Sequence, residues 1–311
     1  MAFARVLDLP QSIPADMTES PNLERLLARA EAVLGRLEAT LPPPPTPPDW
    51  ASAVTFRWRK SNGRGWLQAV RHPHPIRLDD LETIDDQKER IVANTRQFVA
   101  GRSANNVLLT GSRGSGKSSL VKAVLNEFSN KGLRLIEVDK EDLIDLSDIL
   151  DLLDGRPEKF IIFCDDLSFE AGETSYKALK SVLDGSIAAP PNNVLIYATS
   201  NRRHLMPEYF SENLETHTVN DEIRPGDTTE EKVSLSDRFG LWISFYPFSQ
   251  DDYLAITHYW LAELGVAAEK IEACEREALN WALSRGSRSG RVAWQFARDF
   301  AGRHVKAKKK Q

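Results

Sequence analysis

The sequence has few of the residues that build disulfide frameworks and zinc sites. Its 311 residues include 2 cysteines, Cys164 and Cys274, and 6 histidines with neither H-x-x-x-H nor Cys/His spacing. Two isolated cysteines exclude a disulfide-rich scaffold and fit a reducing compartment. The histidine spacing likewise excludes the usual sequence patterns of zinc sites.

Long apolar runs and an excess of one charge are also missing. No apolar run approaches the ~18 residues that a membrane span needs, and the N-terminus lacks the charged-then-apolar pattern of a signal peptide. We therefore expect a soluble, cytoplasmic protein without a membrane partner. Lys and Arg number 40 against 45 Asp and Glu, a net charge of −5, which disfavours a surface that coats nucleic acid generally.

A glycine-rich stretch in the middle of the chain matches G-x-x-x-x-G-K-[ST]. It follows an apolar strand, Val107–Thr110, and precedes a helix predicted to end at Phe128. Glycines let successive backbone N–H groups point at phosphate oxygens, a lysine reaches the β- and γ-phosphates, and a Ser hydroxyl binds Mg²⁺. The predicted nucleotide-binding residues are Gly111, Ser112, Arg113, Gly114, Ser115, Gly116, Lys117, Ser118 and Ser119.

Two aspartates follow the apolar strand Phe160–Cys164. In a magnesium–nucleotide site, one carboxylate holds the metal and a second polarises the attacking water. We assign Asp165 to the metal, together with Ser118, and Asp166 to the water. The alternative is an ordinary acidic turn after a buried strand.

Strands and helices alternate through the middle of the chain, which predicts a parallel sheet with helices on both faces. Beyond Ser249 every predicted element is helical. Polar residues 208–231 are predicted to form an exposed loop. The predicted elements are strands Leu133–Val138, Phe160–Cys164, Val194–Ala198 and Leu241–Phe245, and helices Asp85–Ala100, Leu143–Leu153, Ser175–Asp184, Ser249–Gly265, one ending near Gly286, and Arg291–Gly302.

We expect four regions along the chain. Residues 1–49 hold a helix and a proline-rich linker, residues 50–246 form the α/β core with a leading hairpin, residues 247–305 form a helical lid, and residues 306–311 form a basic tail. The apolar positions of the first helix, from Leu23 to Leu41, are three and four residues apart, which fits either self-association or docking, or packing on the helix's own domain. Aromatic and Arg residues alternate in the hairpin, which either covers the domain or an adenine ring, or stacks on nucleic-acid bases.

These motifs together resemble a AAA+ ATPase. The phosphate loop, the acidic strand end, a polar residue at the end of the next strand and the stretch Leu235–Leu241 before the fifth strand are all typical of that superfamily. The resemblance implies a five-stranded parallel sheet in the order 5-1-4-3-2 with a C-terminal helical lid. It also implies that Asn201 orients the attacking water, that Arg238 is the arginine finger, and that Arg291 is the lid arginine (sensor 2), with Arg288 a less favoured candidate.

The resemblance is closest to a bacterial AAA+ family called domain of unknown function 815. The segments that are similar are Leu135–Lys140, Phe163–Glu170, Ala198–Leu205 and Gly286–Arg291. One departure from most AAA+ enzymes is Asp166, which stands where they carry Glu. Because its side chain is shorter, we expect slow turnover.

Three functions are compatible with this sequence. The first is a AAA+ ATPase that binds ATP and Mg²⁺, works as a ring or open homo-oligomer with Arg238 acting on the neighbouring subunit, and remodels or loads a protein or nucleic-acid client. The second is a nucleotide-gated scaffold that binds ATP with little hydrolysis, which Asp166 favours. A phosphate-loop kinase is disfavoured, since such enzymes do not need Arg238 and Arg291 with a separate lid.

Overall fold

A computed structural model describes residues 21–40, 47–169, 173–185, 191–202, 205, 217–219, 222–224 and 235–305. The chain divides after Pro47 into two units. The described part of the first unit is helix α1, Pro21–Thr40, whose side chains from Leu23 to Arg36 are exposed. The end of the predicted helix at Leu41, most of the proline-rich spacer and the basic tail lie outside the described residues.

The second unit is built on a seven-stranded sheet in the order β2-β1-β4-β5-β6-β3-β9. Every neighbouring pair is parallel except β1 and β2, which form an antiparallel hairpin. A separate antiparallel pair, β7 and β8, lies within the stretch predicted to be a loop. The strands are β1 Thr55–Ser61, β2 Arg64–Ala69, β3 Val107–Gly111, β4 Leu133–Glu137, β5 Lys159–Cys164, β6 Val194–Ser200, β7 His217–Val219, β8 Glu222–Arg224 and β9 Leu241–Phe245.

The predicted sheet of five strands in the order 5-1-4-3-2 was therefore wrong for the sheet as a whole. Those five strands form the consecutive segment β9-β3-β6-β5-β4, and the hairpin adds two more at the β4 edge. Strand β1 pairs in parallel with β4, with Phe56 opposite Ile136. Phe56 and Trp58 are almost fully buried, so both rings pack into the core and are not available to stack on bases.

Two apolar layers cover the faces of the sheet. Strand β5 shows the alternation that produces them, because Phe160 and Ile162 pack into one layer while Ile161 and Phe163 pack into the other. A strand buried on both sides is a continuous apolar run, as expected of a central parallel strand. The core helices are α2 Asp85–Val99, α3 Lys117–Phe128, α4 Leu146–Leu153 and α5 Thr174–Asp184, with short 3₁₀ turns at Leu78–Asp80, Ser129–Lys131 and Lys140–Asp145.

A C-terminal group of helices has an apolar core of its own. Its first helix begins after Ser249, whose hydroxyl accepts a hydrogen bond from the Asp252 N–H while the Asp252 carboxylate accepts one from the Ser249 N–H. The single helix predicted to end near Gly286 is instead two short helices. The helices of this lid are α6 Gln250–Glu263, α7 Ala268–Ala273, α8 Glu275–Ser284 and α9 Gly290–His304. No helix in the described part of the chain is long and apolar enough to cross a bilayer.

Candidate nucleotide-binding site

The glycine-rich loop connects β3 to α3, and its glycines are required by geometry. Gly111, Gly114 and Gly116 have φ angles of 131°, 74° and 99°, a region that other residues rarely adopt. A Cβ atom on Gly111 would lie 1.9 Å from the Phe245 carbonyl oxygen, and one on Gly114 would lie 2.7 Å from the Ser289 Cβ. At Gly111 and Gly114 the backbone of the loop therefore lies too close to neighbouring residues for a side chain to fit.

Lys117 is buried under this loop. Its Nζ donates hydrogen bonds to the carbonyl oxygens of Gly111 and Ser112, at 2.8 and 2.7 Å, and to Asn201 Oδ1 at 3.0 Å. Burial lowers the pKa of Lys117 to about 8, although the nearby carboxylates of Asp166 and Asp165 act to raise it. Burial disfavours the charged form of the amine, whereas anionic oxygens nearby favour it. The phosphates of a triphosphate would supply such oxygens.

Asp165 lies where three elements meet. The Ser118 hydroxyl donates a hydrogen bond to its Oδ1 at 2.5 Å, and the Thr199 hydroxyl donates another at 2.6 Å. Strands β5 and β6 are neighbours, so their C-terminal ends lie together at the edge of the sheet that the loop covers. The predicted metal-binding pair, Ser118 and Asp165, is thus brought together by the fold.

Asp166 has a φ angle of 53°, in the left-handed region that a non-glycine residue adopts only under local constraint. Its backbone N–H donates to the Thr199 hydroxyl at 2.9 Å, and its carboxylate accepts a short hydrogen bond from Asn201 Nδ2. Because Asn201 also accepts a bond from Lys117, one amide links the lysine under the loop to Asp166. The predicted water-polarising residue and the predicted water-orienting residue are therefore in direct contact.

These residues line a cavity of about 800 Å³ between the sheet and the lid, within the size range of small-molecule sites. Its lining includes Arg113 to Ser119, Asp165, Asp166 and Asn201, so most of the predicted site residues are brought together. Gly111 and Ser112 contribute carbonyl groups beneath the loop instead. Apolar side chains form another part of the lining: Ile76, Leu81, Ile84, Phe248, Ile256, Trp260 and Trp294.

The lid contacts the glycine-rich loop directly. The Gly290 N–H, at the start of α9, donates a 2.9 Å hydrogen bond to the Gly114 carbonyl oxygen. The next residue, Arg291, lines the cavity, whereas Arg288 is exposed and is not among the described residues that line it.

Arg238 lies away from the cavity of its own chain. Its guanidinium forms an ion pair with Asp184, at the end of α5. The residue is half-buried and lies just before β9. Of the predicted catalytic residues, Arg238 alone is not brought to this cavity in the described structure.

Sequence reasoning missed three parts of the site. Thr199 contacts both aspartates, and its position at the end of a strand beside Asn201 was the available signal. Ser289 and Gly290 touch the loop through contacts across the chain, which local sequence cannot reveal. The apolar part of the lining combines residues from Ile76 to Trp294, so its composition depends on the tertiary fold.

Several solved structures are similar to part of this chain. The RuvB Holliday junction branch migration motor of Thermotoga maritima is 16% identical, with a TM-score of 0.45, over 72% of this chain and 63% of RuvB. The Aeropyrum pernix Orc1 protein, solved in complex with DNA, is 16% identical, with a TM-score of 0.48, over 74% of this chain and 63% of Orc1. The Escherichia coli HORMA:CdnC:Trip13 complex contains a chain that is 12% identical, with a TM-score of 0.45, over 71% of this chain and 90% of that one.

This chain thus spans less than two thirds of the RuvB and Orc1 chains. No curated protein matches it. Residues 51–304 match the family described as "Protein of unknown function (DUF815)". Because that match extends from the hairpin to the end of the lid, the resemblance predicted from the sequence is confirmed, and the chain belongs to this family.

Proposed function

We propose that this protein is a AAA+ ATPase that binds Mg-ATP in the cavity between its sheet and its lid. The observation that supports this most directly is the contact set around Lys117. A buried ammonium group bonded to loop carbonyls and to Asn201, which in turn contacts Asp166, connects a phosphate-binding loop to a carboxylate that can act on water.

The oxygen atoms beside the loop fit a magnesium ion. Mg²⁺ in nucleotide sites is held by one or two protein oxygens together with substrate phosphates. Ser118 Oγ and Asp165 Oδ1 lie 2.5 Å apart near the N-terminus of α3 and are oxygen ligands of this kind. When bound, the ion would neutralise charge on the terminal phosphates.

Hydrolysis in this proposal requires a water held at Asp166. The Asp166 carboxylate accepts the proton of the attacking water, and Asn201 orients both the carboxylate and the water. Arg291, at the start of the lid helix that contacts the loop at Gly114, neutralises phosphate charge. Asp166 is one methylene shorter than the Glu of most AAA+ enzymes, so we expect slow turnover.

The oligomeric state follows from the proposed role of Arg238. This arginine is away from the cavity of its own chain, so a finger role requires a neighbouring subunit in a ring or open homo-oligomer. Energy from hydrolysis would then be coupled to remodelling or loading a macromolecular client, protein or nucleic acid.

The second candidate is a nucleotide-gated scaffold that binds ATP with little hydrolysis. It is favoured by the constrained backbone of Asp166 and by the direct bond from Asn201, since both restrict how the carboxylate meets a water. A steady-state ATPase assay, with and without a cell extract as the source of a client, separates the two functions by the rate of turnover.

Binding is tested by calorimetry with Mg-ATP on the wild-type protein and on Lys117→Ala. We expect the wild type to bind and the folded variant to lose detectable binding, because the lysine supplies charge-assisted contacts to the terminal phosphates. Equal affinity in both proteins would refute the assignment of the phosphate site.

A further inference from the structure

A buried carboxylate outside the phosphate site joins the core to the lid. Asp80, in the 3₁₀ turn Leu78–Asp80, is 8% exposed and lies in the wall of the cavity. Its Oδ2 accepts the Arg77 backbone N–H at 2.7 Å, and its Oδ1 accepts the Arg77 guanidinium at 2.7 Å. The Tyr259 hydroxyl, from α6 of the lid, donates to the same Oδ1 at 2.7 Å.

The arginine of this cluster extends the link. Arg77 Nη2 lies 3.2 Å from Glu263 Oε2 and 3.3 Å from the Tyr259 hydroxyl. Burial opposes the charge on Asp80, but the hydrogen bonds from Arg77 and Tyr259 outweigh it and lower the pKa of the carboxyl group. The carboxylate is therefore ionised at neutral pH, and bonds to an ionised acceptor are stronger than neutral ones.

The link also joins two parts of the apolar lining of the cavity. On the core side, Ile76 and Leu81 flank the Asp80 turn. On the lid side, Ile256 and Trp260 flank Tyr259 on α6, and all four line the cavity. The Trp260 ring packs 5.1 Å from the Tyr259 ring. The bond between Asp80 and Tyr259 thus joins the core turn beside two of these apolar residues to the lid helix that carries the other two.

We propose that Asp80 and Tyr259 are positioning residues for the nucleobase. Their bond fixes the core part of the apolar lining relative to the lid part, so that a planar heteroaromatic base is bound there by stacking and burial while the loop binds the phosphates. This inference rests on the proposed function, since it needs a nucleotide in the cavity. A link that served only to stabilise the fold would not distinguish a base from a phosphate chain.

The test compares ATP with inorganic tripolyphosphate, both with Mg²⁺, because tripolyphosphate occupies the loop but has no base. Tyr259→Phe removes only the hydroxyl donor and keeps the ring. We expect it to weaken ATP binding about tenfold and to change tripolyphosphate binding less than about twofold. Asp80→Asn should act in the same direction, and thermal unfolding verifies that each variant is folded.

Glu263→Gln is the matched control, because Glu263 is half exposed and bonds Arg77, with no hydrogen bond to Asp80 or Tyr259 in the described part of the chain. It should leave both affinities unchanged. Unchanged ATP affinity in Tyr259→Phe, or an equal loss for ATP and tripolyphosphate, would overturn the positioning role. If Asp80→Asn fails to fold, Tyr259→Phe decides alone. A wild-type protein that binds neither ligand would overturn the proposed function, a result distinct from either of these.

Discussion

The Thr199 hydroxyl donates a 2.6 Å hydrogen bond to Asp165 Oδ1 and at the same time accepts the backbone N–H of Asp166 at 2.9 Å. Thr199 is 1% exposed, so its hydroxyl is shielded from bulk water. One hydroxyl on β6 therefore fixes both the carboxylate assigned to the metal and the backbone of the carboxylate assigned to the water.

Thr199→Val should raise the Mg²⁺ concentration that is needed for half-maximal nucleotide binding. Valine has the same shape but leaves Asp165 without its supporting donor, and loss of such outer contacts typically weakens metal binding about 10–100-fold. Thr199→Ser keeps the hydroxyl and should restore most of the affinity. A magnesium titration of nucleotide binding measures the effect, and equal midpoints for valine and serine would contradict it.

Gly114→Ala should destabilise the fold and weaken nucleotide binding. The new methyl group would lie 2.7 Å from the Ser289 Cβ, in addition to the backbone strain at a φ of 74°. Gly132→Ala is the matched control, because its φ is 88° and nothing lies within 4 Å of the added Cβ. We expect about 1–2 kcal/mol of destabilisation for Gly132→Ala, from strain alone. Gly114→Ala should lose more free energy of unfolding than this control, as measured by chemical denaturation. A smaller loss than that of Gly132→Ala would show that the loop and lid are not in close contact.

Asp166→Asn should keep Mg-ATP affinity and lower turnover about 10²–10⁴-fold, since an amide cannot accept the proton from water. Asparagine also tolerates the left-handed backbone at this position, so the fold should be retained. Binding by calorimetry and turnover by phosphate release provide the two measurements. Full turnover would place the base elsewhere, with Glu170, which lies outside the described residues, as the next candidate.

Arg238→Ala and Lys117→Ala should each be inactive alone, and mixing them should restore some activity. An intact site on the first protein would be completed by Arg238 of the second, and arginine fingers contribute about 10³–10⁵ in rate. A surface ion pair contributes only about 0–1 kcal/mol to stability. Asp184→Asn removes one charged partner of Arg238 but keeps the arginine, so it should remain active. Full activity of Arg238→Ala alone would reject the finger role.

A mixture of the two variants that assembles but remains inactive would argue against action between subunits. Size-exclusion chromatography with light scattering confirms assembly independently of activity. The two measurements separate a failure to associate from a failure of the proposed chemistry.

The sequence predicted the parts of the protein that depend on local patterns. The loop from Gly111 to Ser118 lies between a strand and the start of a helix. Its glycine pattern, the strand and the helix start can each be recognised from residues that are adjacent in the sequence. The apolar run before Asp165 predicted a central strand, and β5 is buried on both sides.

Long-range contacts could not be predicted in the same way. Strand β1 pairs with β4, and Arg57 of β1 contacts Glu137 of β4 at 2.6 Å, although 80 positions separate them. Nothing in the hairpin sequence shows which edge it joins, so the strand number was wrong. Asp80 and Tyr259, separated by 179 positions, make the same point for the cavity wall.

The hydrogen bond between Gly290 and Gly114 attaches the N-terminal end of helix α9 to the phosphate loop. The helix has 15 residues, so at 1.5 Å per residue it is about 22 Å long. A tilt of about 10° at the Gly290 end would displace the His304 end by roughly 4 Å. The apolar core that α9 shares with α6 would convey the same rotation to the other lid helices. If nucleotide binding moves the loop at Gly114, this bond would transmit the movement to α9 and through it to the rest of the lid.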